Sequence, residues 1–343
     1  MKNPKNIAVV GVSGYTGFEL AKILLRHPEA ETLTFYVREP GGAHCLTQLF
    51  PQLRGWGQAP VKALSVETIA ESGAGTAFLA TPHGASAEMA PRLLQAGMRV
   101  VDLSGAFRFR EAELFRRWYK LPAPHADWLG EAVYGLPEFY AKEIARARLI
   151  ANPGCYATSV ILAVRPLAEA GWIADGSSVV SDCKSGATGA GKELRHDLQF
   201  SELDENFKAY SLFTHRHTPE IAEHTGLPES QVIFSTHLLP LARGILSTIY
   251  VTFGEQRTSK EVEALYRKAF AGRPMVRIWN GGSLPELQHV ARTNFCDIGF
   301  ALDSSGRRLI VVSCLDNLGK GAAGQAVQNF NHLLGIEEQT GLQ

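Results

Sequence analysis

Residues Ile7 to Leu24 read IAVVGVSGYTGFELAKIL: an apolar run, a glycine turn and a helical pattern in direct succession. Ile7 to Val12 has the composition of a short buried strand, and Leu20, Ile23 and Leu24 recur at helical spacing. Between them, Gly11 suits a tight turn, Gly14 allows a backbone to approach a pyrophosphate, and Gly17 permits close helix packing. The N–H groups opening the following helix would face a phosphate. The spacing is G-x-x-G-x-x-G, a looser form of the dinucleotide fingerprint, so the turn alone points to a ligand class without fixing it.

Working outward, a second strand, Thr32 to Val37, ends at Arg38. An acidic residue at that point would hold the ribose 2′-hydroxyl of NAD, whereas an arginine suits the 2′-phosphate of NADP. Strands over Thr76 to Ala80 and Arg99 to Leu103, with a crossover helix over Gly84 to Ala96 between them, make a parallel β-α-β sheet the expectation. The segments TPHG (Thr81 to Gly84) and DLSGAFR (Asp102 to Arg108) follow the carboxyl ends of strands, where open α/β sheets bind ligands. Arg108 is a candidate phosphate grip, and His83 is read as structural.

With 343 residues the chain exceeds the size at which a single core stops growing, so two domains are expected. Lysine plus arginine equals aspartate plus glutamate at 34 each, so no global charge draws the chain to nucleic acid or membrane, and any anion must be caught locally. No apolar run approaches the ~18 residues of a spanning helix, and the N-terminus passes straight into a strand, so a cytoplasmic protein is expected. Five scattered cysteines without a C-x-x-C pair argue against disulfides and zinc.

Among those cysteines Cys155 stands apart. It lies in ANPGCYAT (Ala151 to Thr158), after a Pro-Gly turn and before an apolar run, so it falls near a helix N-terminus, where thiolate is favoured. After it the composition changes. Ser178 to Lys184, Gln231 to Leu238, Gly244 to Phe253, Asp297 to Leu302 and Leu309 to Leu315 are strand-like, as in a largely antiparallel α+β domain. A glycine loop, Ser185 to Lys192, and HRHTPEI (His215 to Ile221) lie between them. The two histidines lack a second pair of ligands at motif spacing, so no metal is expected. A final helix over Ala322 to Leu334 buries Ala323, Ala326, Val327, Phe330 and Leu334 at helical period.

Taken together, GVSGYTG (Gly11 to Gly17), PHG (Pro82 to Gly84), YGLPE (Tyr134 to Glu138), NPGCYAT (Asn152 to Thr158), KSGATGAGK (Lys184 to Lys192), HRHTPEI, LPLARGILST (Leu239 to Thr248), NFCDIG (Asn294 to Gly299) and DNLGKGAAG (Asp316 to Gly324) closely resemble the N-acetyl-γ-glutamyl-phosphate reductases, nearly end to end. Two departures stand out: Gly105-Ala106 where an Ala-Asp pair is usual, and Ala157 where proline often follows Cys-Tyr. The resemblance implies an α/β Rossmann-type NADP-binding domain over 1–151 and an α+β catalytic and oligomerisation domain of the glyceraldehyde-3-phosphate dehydrogenase-like type over 152–316. It further implies a C-terminal helix, 317–343, that returns to the first domain.

The activity implied is NADPH-dependent reduction of N-acetyl-L-glutamyl 5-phosphate to the 5-semialdehyde and phosphate in arginine biosynthesis, through a thioester on Cys155. His215 and His217 are the acid/base candidates, with His215 preferred. Arg108, Asn152, Lys184 and Glu220 are the implied substrate contacts. Gly11, Ser13, Gly14, Tyr15, Thr16, Gly17, Arg38, Pro82, Ser185, Gly186 and Asn317 are the implied cofactor contacts. A homotetramer or homodimer is expected, with a small-molecule substrate and no nucleic-acid or membrane partner. Other acyl-phosphate reductases, acting on aspartyl or carrier-linked aminoadipyl phosphates, share the thiol and the histidine; HRHTPEI favours the acetylglutamyl enzyme over the aspartyl one.

Overall fold

The computed structural model describes residues 2–280 and 282–342. The chain forms two compact units, 1–153 with 322–343, and 154–321. The division falls two residues beyond the expected first boundary and five beyond the second.

In the first unit β1 (Asn6–Val10), β2 (Thr32–Val37), β3 (Val61–Ala63), β4 (Thr76–Leu79), β5 (Arg99–Asp102), β6 (Val133–Tyr134) and β7 (Leu149–Ala151) form one sheet, ordered β3-β2-β1-β4-β5-β7-β6. Every pairing in it is parallel. Parallel strands covered on both faces need apolar side chains at consecutive positions. Ile7, Ala8, Val9 and Val10 supply them, each almost wholly buried. The crossover helix His83–Gln95 buries Ser86, Met89, Ala90, Leu93 and Leu94 at helical spacing.

β1 ends at Val10 rather than Val12 because Gly11 adopts φ +87, and a Cβ there would lie 2.2 Å from the main-chain oxygen of Ala80. The helix Gly324–Leu334 joins the core of this same unit: Ala326, Val327, Phe330 and Leu333 cluster with Ile7, Val9 and Leu20, and Phe330 meets Phe78 edge-on at 5.7 Å. Its α-helical part starts two residues later than expected, after a π-helical turn over Gly319–Ala323.

The second unit carries β8 (Val179–Gly186), β9 (Lys208–Tyr210), β10 (Val232–Leu239), β11 (Ile245–Thr252), β12 (Val276–Ile278), β13 (Cys296–Leu302) and β14 (Arg308–Leu315), ordered β12-β13-β14-β11-β8-β10-β9. The β8–β10 and β12–β13 pairs are parallel. The other four are antiparallel. The helices Cys155–Glu169 and His217–Thr225 pack on one face of this sheet. Strand side chains alternate between faces. Val179, Ser181, Cys183 and Ser185 of β8 are therefore buried, while Val180, Asp182 and Lys184 lie half-buried on the other face. Tyr250 on β11 and Ile310 on β14 are exposed. β3, β6, β9 and β12, each of two or three residues, are too short for hydrophobic periodicity to reveal.

Candidate active site

In the first unit the glycine turn forms a cradle. Gly17 packs against Gly11, since a Cβ at Gly17 would lie 2.2 Å from the Gly11 oxygen. Gly14 is different. It caps the helix Tyr15–Leu24 with φ −79 and ψ 165, its N–H donates to the Gly11 oxygen at 3.2 Å, and an added Cβ would meet nothing nearer than that oxygen at 3.7 Å. The protein's own packing does not demand glycine there, whereas a phosphate laid on the backbone would. Ser13 and Tyr15 are exposed and Thr16 is half-buried on the same turn, and Pro82 is exposed where the crossover helix begins. Arg38 is exposed just past β2, and among the described residues no hydrogen bond or ion pair engages it. These residues suit a dinucleotide with a 2′-phosphate.

The loop after β5 is closed by its own side chains. Asp102, wholly buried, accepts the Ser104 N–H at 3.1 Å and hydroxyl at 2.7 Å, and burial pushes its carboxyl above the usual carboxylate range. Arg108 donates from Nε to the Asn152 main-chain oxygen at 2.9 Å and from Nη2 to the Leu103 oxygen at 3.3 Å, so it fastens this loop instead of presenting an open fork. Asn152 is likewise engaged. Its Nδ2 donates to the Ala322 oxygen at 3.1 Å and its Oδ1 accepts from Asn329 at 3.0 Å, which gives its buried amide a structural place. His83 Nδ1 accepts the Gly105 N–H at 2.8 Å. The unusual glycine has a reason in Tyr119, whose hydroxyl would lie 2.0 Å from a Cβ at position 105.

In the second unit Cys155 is the first residue of the helix Cys155–Glu169 and is half-buried. Gly154 caps that helix with φ −70 and ψ 145, and its N–H donates to Oε1 of Glu220 at 2.7 Å. Helix N-termini leave such N–H groups without intrahelical partners, and a buried carboxyl is an apt acceptor. Glu220 has no exposed surface. It holds the cysteine turn through that hydrogen bond. Gly154 is required by His217: an added Cβ would lie 2.2 Å from His217 Nε2. Gly321 closes the other side, where an added Cβ would lie 2.8 Å from Cβ of Cys155.

The two histidines are not equivalent. His215 is enclosed by Tyr156, Tyr210 and Phe234, with ring centroids 5.6, 5.8 and 5.2 Å away, and sits 4.7 Å from His217. Burial first, and the Arg216 charge second, push its imidazole down to about 4. It is thus neutral near pH 7, and its Nδ1 accepts the His217 N–H at 3.1 Å, leaving the ring proton on Nε2. The ring against the cysteine turn belongs to His217. Tyr156 donates its hydroxyl to the His237 oxygen at 3.0 Å and accepts that of Tyr210 at 3.2 Å, and burial pushes the Tyr210 phenol up to about 12. In the sequence Tyr156 directly follows Cys155 and Tyr210 lies five residues before His215, which was the available signal for both.

Other expected contacts fall elsewhere. The Cys155–Glu169 helix contacts the β11 face that holds Ser247, through Ser159 Oγ at 2.9 Å. Cys183 pairs with Ser247 on that face, so the adjacent Lys184 lies on the opposite one, gripped by Asp182 through its main-chain oxygen at 3.1 Å and its carboxylate. Ser185 is buried and donates to the Gly186 oxygen at 3.0 Å, and Gly186 is needed because main chain at 242–243 crosses it. Asn317 is also buried, with Oδ1 accepting the Gly244 N–H and Nδ2 donating to Thr188 Oγ1, both at 2.9 Å. Its amide ties two loops together. Asp316, wholly buried and unremarked in the sequence, holds the N–H groups of Leu318, Gly319 and Arg292. Burial raises the Cys183 thiol to about 12 and pushes that of Cys314 up as well, which marks both as core residues. Among the described residues no group of three or more metal-ligating side chains is assembled.

Comparison with known proteins agrees with this layout. Residues 6–147 match the family described as semialdehyde dehydrogenase, NAD binding domain, and residues 155–317 the semialdehyde dehydrogenase dimerisation domain. The fold is shared with aspartate semialdehyde dehydrogenase II of Vibrio cholerae, solved with ASA, at TM-score 0.73 and 17% identity over 96% of this chain and 98% of that one. The aspartate semialdehyde dehydrogenase of Candida albicans, solved with NADP, aligns at TM-score 0.68 and 15% identity over 97% and 99%. Fold and domain content define an oxidoreductase of the semialdehyde dehydrogenase class. Proteins named N-acetyl-gamma-glutamyl-phosphate reductase are much nearer in sequence: that of Desulfotalea psychrophila is 44% identical over 98% of this chain and 97% of its own length, and that of Symbiobacterium thermophilum 43% over the same shares. The chain belongs to the N-acetyl-γ-glutamyl-phosphate reductase family.

Proposed function

We propose that the protein reduces N-acetyl-L-glutamyl 5-phosphate with NADPH to N-acetyl-L-glutamate 5-semialdehyde and phosphate, as a step of arginine biosynthesis in the cytoplasm. The observation that carries this reading is the cysteine turn: a half-buried Cys155 at a helix N-terminus, with the His217 ring against Gly154 and Glu220 holding the Gly154 N–H. Cys155 attacks the acyl carbon and expels phosphate, leaving a thioester, which divides one difficult step into two. A nicotinamide dinucleotide, held by the glycine turn, would supply the hydride that reduces this thioester. His217 would give a proton to the oxyanion that hydride addition creates and take it back as the C–S bond breaks, so that the aldehyde leaves and Cys155 is regenerated as thiolate. His215, kept neutral, accepts the main-chain N–H of His217 and packs against its ring at 4.7 Å, which supports that ring's position. Gly11, Gly14 and Gly17 hold the pyrophosphate and Arg38 the 2′-phosphate, which favours NADP(H) over NAD(H).

A homodimer formed through the open face of the second unit's sheet fits the matched dimerisation domain and the exposed Tyr250 and Ile310; a tetramer would pair two such dimers. The functional reading is tested by running the reaction backwards. N-acetyl-L-glutamate 5-semialdehyde should support phosphate-dependent NADP+ reduction at a far higher kcat/KM than L-aspartate semialdehyde. A preference for the aspartyl substrate, or turnover that does not require phosphate, would contradict it.

A further inference from the structure

Beside the histidines lies a cavity of about 330 Å³, the size of a small-ligand pocket, built wholly from the second unit. Arg195, Lys208 and Arg216 line it against a single acidic side chain, Asp197, while Tyr210 and His215 stand on the side toward the cysteine turn. Asp197 ties two of the cations together. It accepts Nε and Nη2 of Arg195 at 3.0 and 2.7 Å, and Nζ of Lys208 at 3.0 Å. An arginine carries five N–H donors and an ammonium three, so both cations retain donors beyond those contacts. The turn that closes the pocket and delivers His215 is strained, with Ser211 at φ +49 and Phe213 at φ +58. Such conformations cost energy and persist where the surroundings impose them, often at ligand sites.

We infer that this cavity is the subsite for the α-carboxylate of the substrate, with Arg195, Lys208 and Arg216 as the specificity-determining cations. The inference rests on the functional reading above, in which the reacting carbonyl meets Cys155. In N-acetylglutamyl phosphate the α-carboxylate lies at the opposite end of a short carbon chain from that carbonyl. His215 bridges the two places, facing the cavity on one side and His217 on the other. A fixed fork of arginine N–H groups recognises a carboxylate better than a neutral group of the same size.

The test compares kcat/KM for N-acetylglutamate 5-semialdehyde with that for 4-acetamidobutanal, which is the same aldehyde without its carboxylate. In an Arg195→Gln/Arg216→Gln variant the wild-type preference for the carboxylated aldehyde should fall by about tenfold to hundredfold. Because both aldehydes share the chemical step, any disturbance of the histidines cancels in this ratio; an unchanged ratio overturns the subsite. Calorimetric titration of the unmodified protein with N-acetyl-L-norvaline, which has the carboxylate but no reacting carbonyl, reads the cavity apart from catalysis. Millimolar or tighter binding that weakens at least tenfold in the variant supports the subsite, and no binding overturns it. Binding of this analogue without turnover of the aldehyde would sink the functional reading, and with it the assignment to this substrate, while leaving a cavity that binds a carboxylate.

Discussion

The turns at Gly14 and Gly154 begin alike and end in opposite uses. Each glycine caps a helix in nearly the same extended conformation, φ −79, ψ 165 at Gly14 and φ −70, ψ 145 at Gly154, and neither cap has a side-chain hydrogen bond. Above Gly14 the space is open, with the nearest atom 3.7 Å from a would-be Cβ; above Gly154 it is filled by the protein's own imidazole at 2.2 Å. One local pattern thus serves a turn with open space above it and a turn against which the His217 ring is seated. What separates them is sequence-distant: HRHTPEI brings both the ring and the Glu220 carboxyl to the second turn.

Methyl groups placed on the two glycines should therefore break different functions. Gly154→Ala must displace His217, so kcat should drop by about 10²-fold to 10⁴-fold, the usual worth of a positioned acid/base, while KM for NADPH stays near wild type. If kcat survives, His217 is not seated as described. Gly14→Ala leaves the fold undisturbed, because the chain has room for the methyl, and should act on the cofactor alone, raising KM for NADPH about tenfold with kcat retained. Arg38→Ala gives the smallest effect and sharpens the cradle's identity: KM for NADPH should rise by about tenfold or less and KM for NADH should barely change. Equal effects on the two nucleotides would remove the 2′-phosphate from the account.

The parallel sheet was readable because its strands are apolar at consecutive positions and its crossover helix keeps a clean period, features carried within a few neighbouring residues. Cys155 was readable for the same reason, since a Pro-Gly turn and an apolar helix surround it in the chain. What local pattern does not carry is which distant group will consume a side chain's hydrogen bonds. Asn152 and Asn317 sit in motifs that resemble ligand contacts, yet the main chain at Ala322 and Gly244 and the side chains of Asn329 and Thr188 engage their amides. Lys184 sits in a glycine-rich motif, but strand alternation turns it to the other face and Asp182 holds it there. Nor does the spacing His-x-His say which ring faces the thiol, because this depends on the packing of Tyr156, Tyr210 and Phe234 around His215.

The role of Cys155 as acyl carrier is open to a direct measurement without reduction. Mixed with N-acetyl-L-glutamyl 5-phosphate in the absence of nucleotide, the protein should release up to one equivalent of phosphate per chain in a burst. Intact-mass and peptide analysis should then locate one acetylglutamyl group on Cys155, and the Cys155→Ser protein should show neither signal. A wild-type protein that turns over with NADPH but gives no burst and no acylated Cys155 would contradict the thioester route.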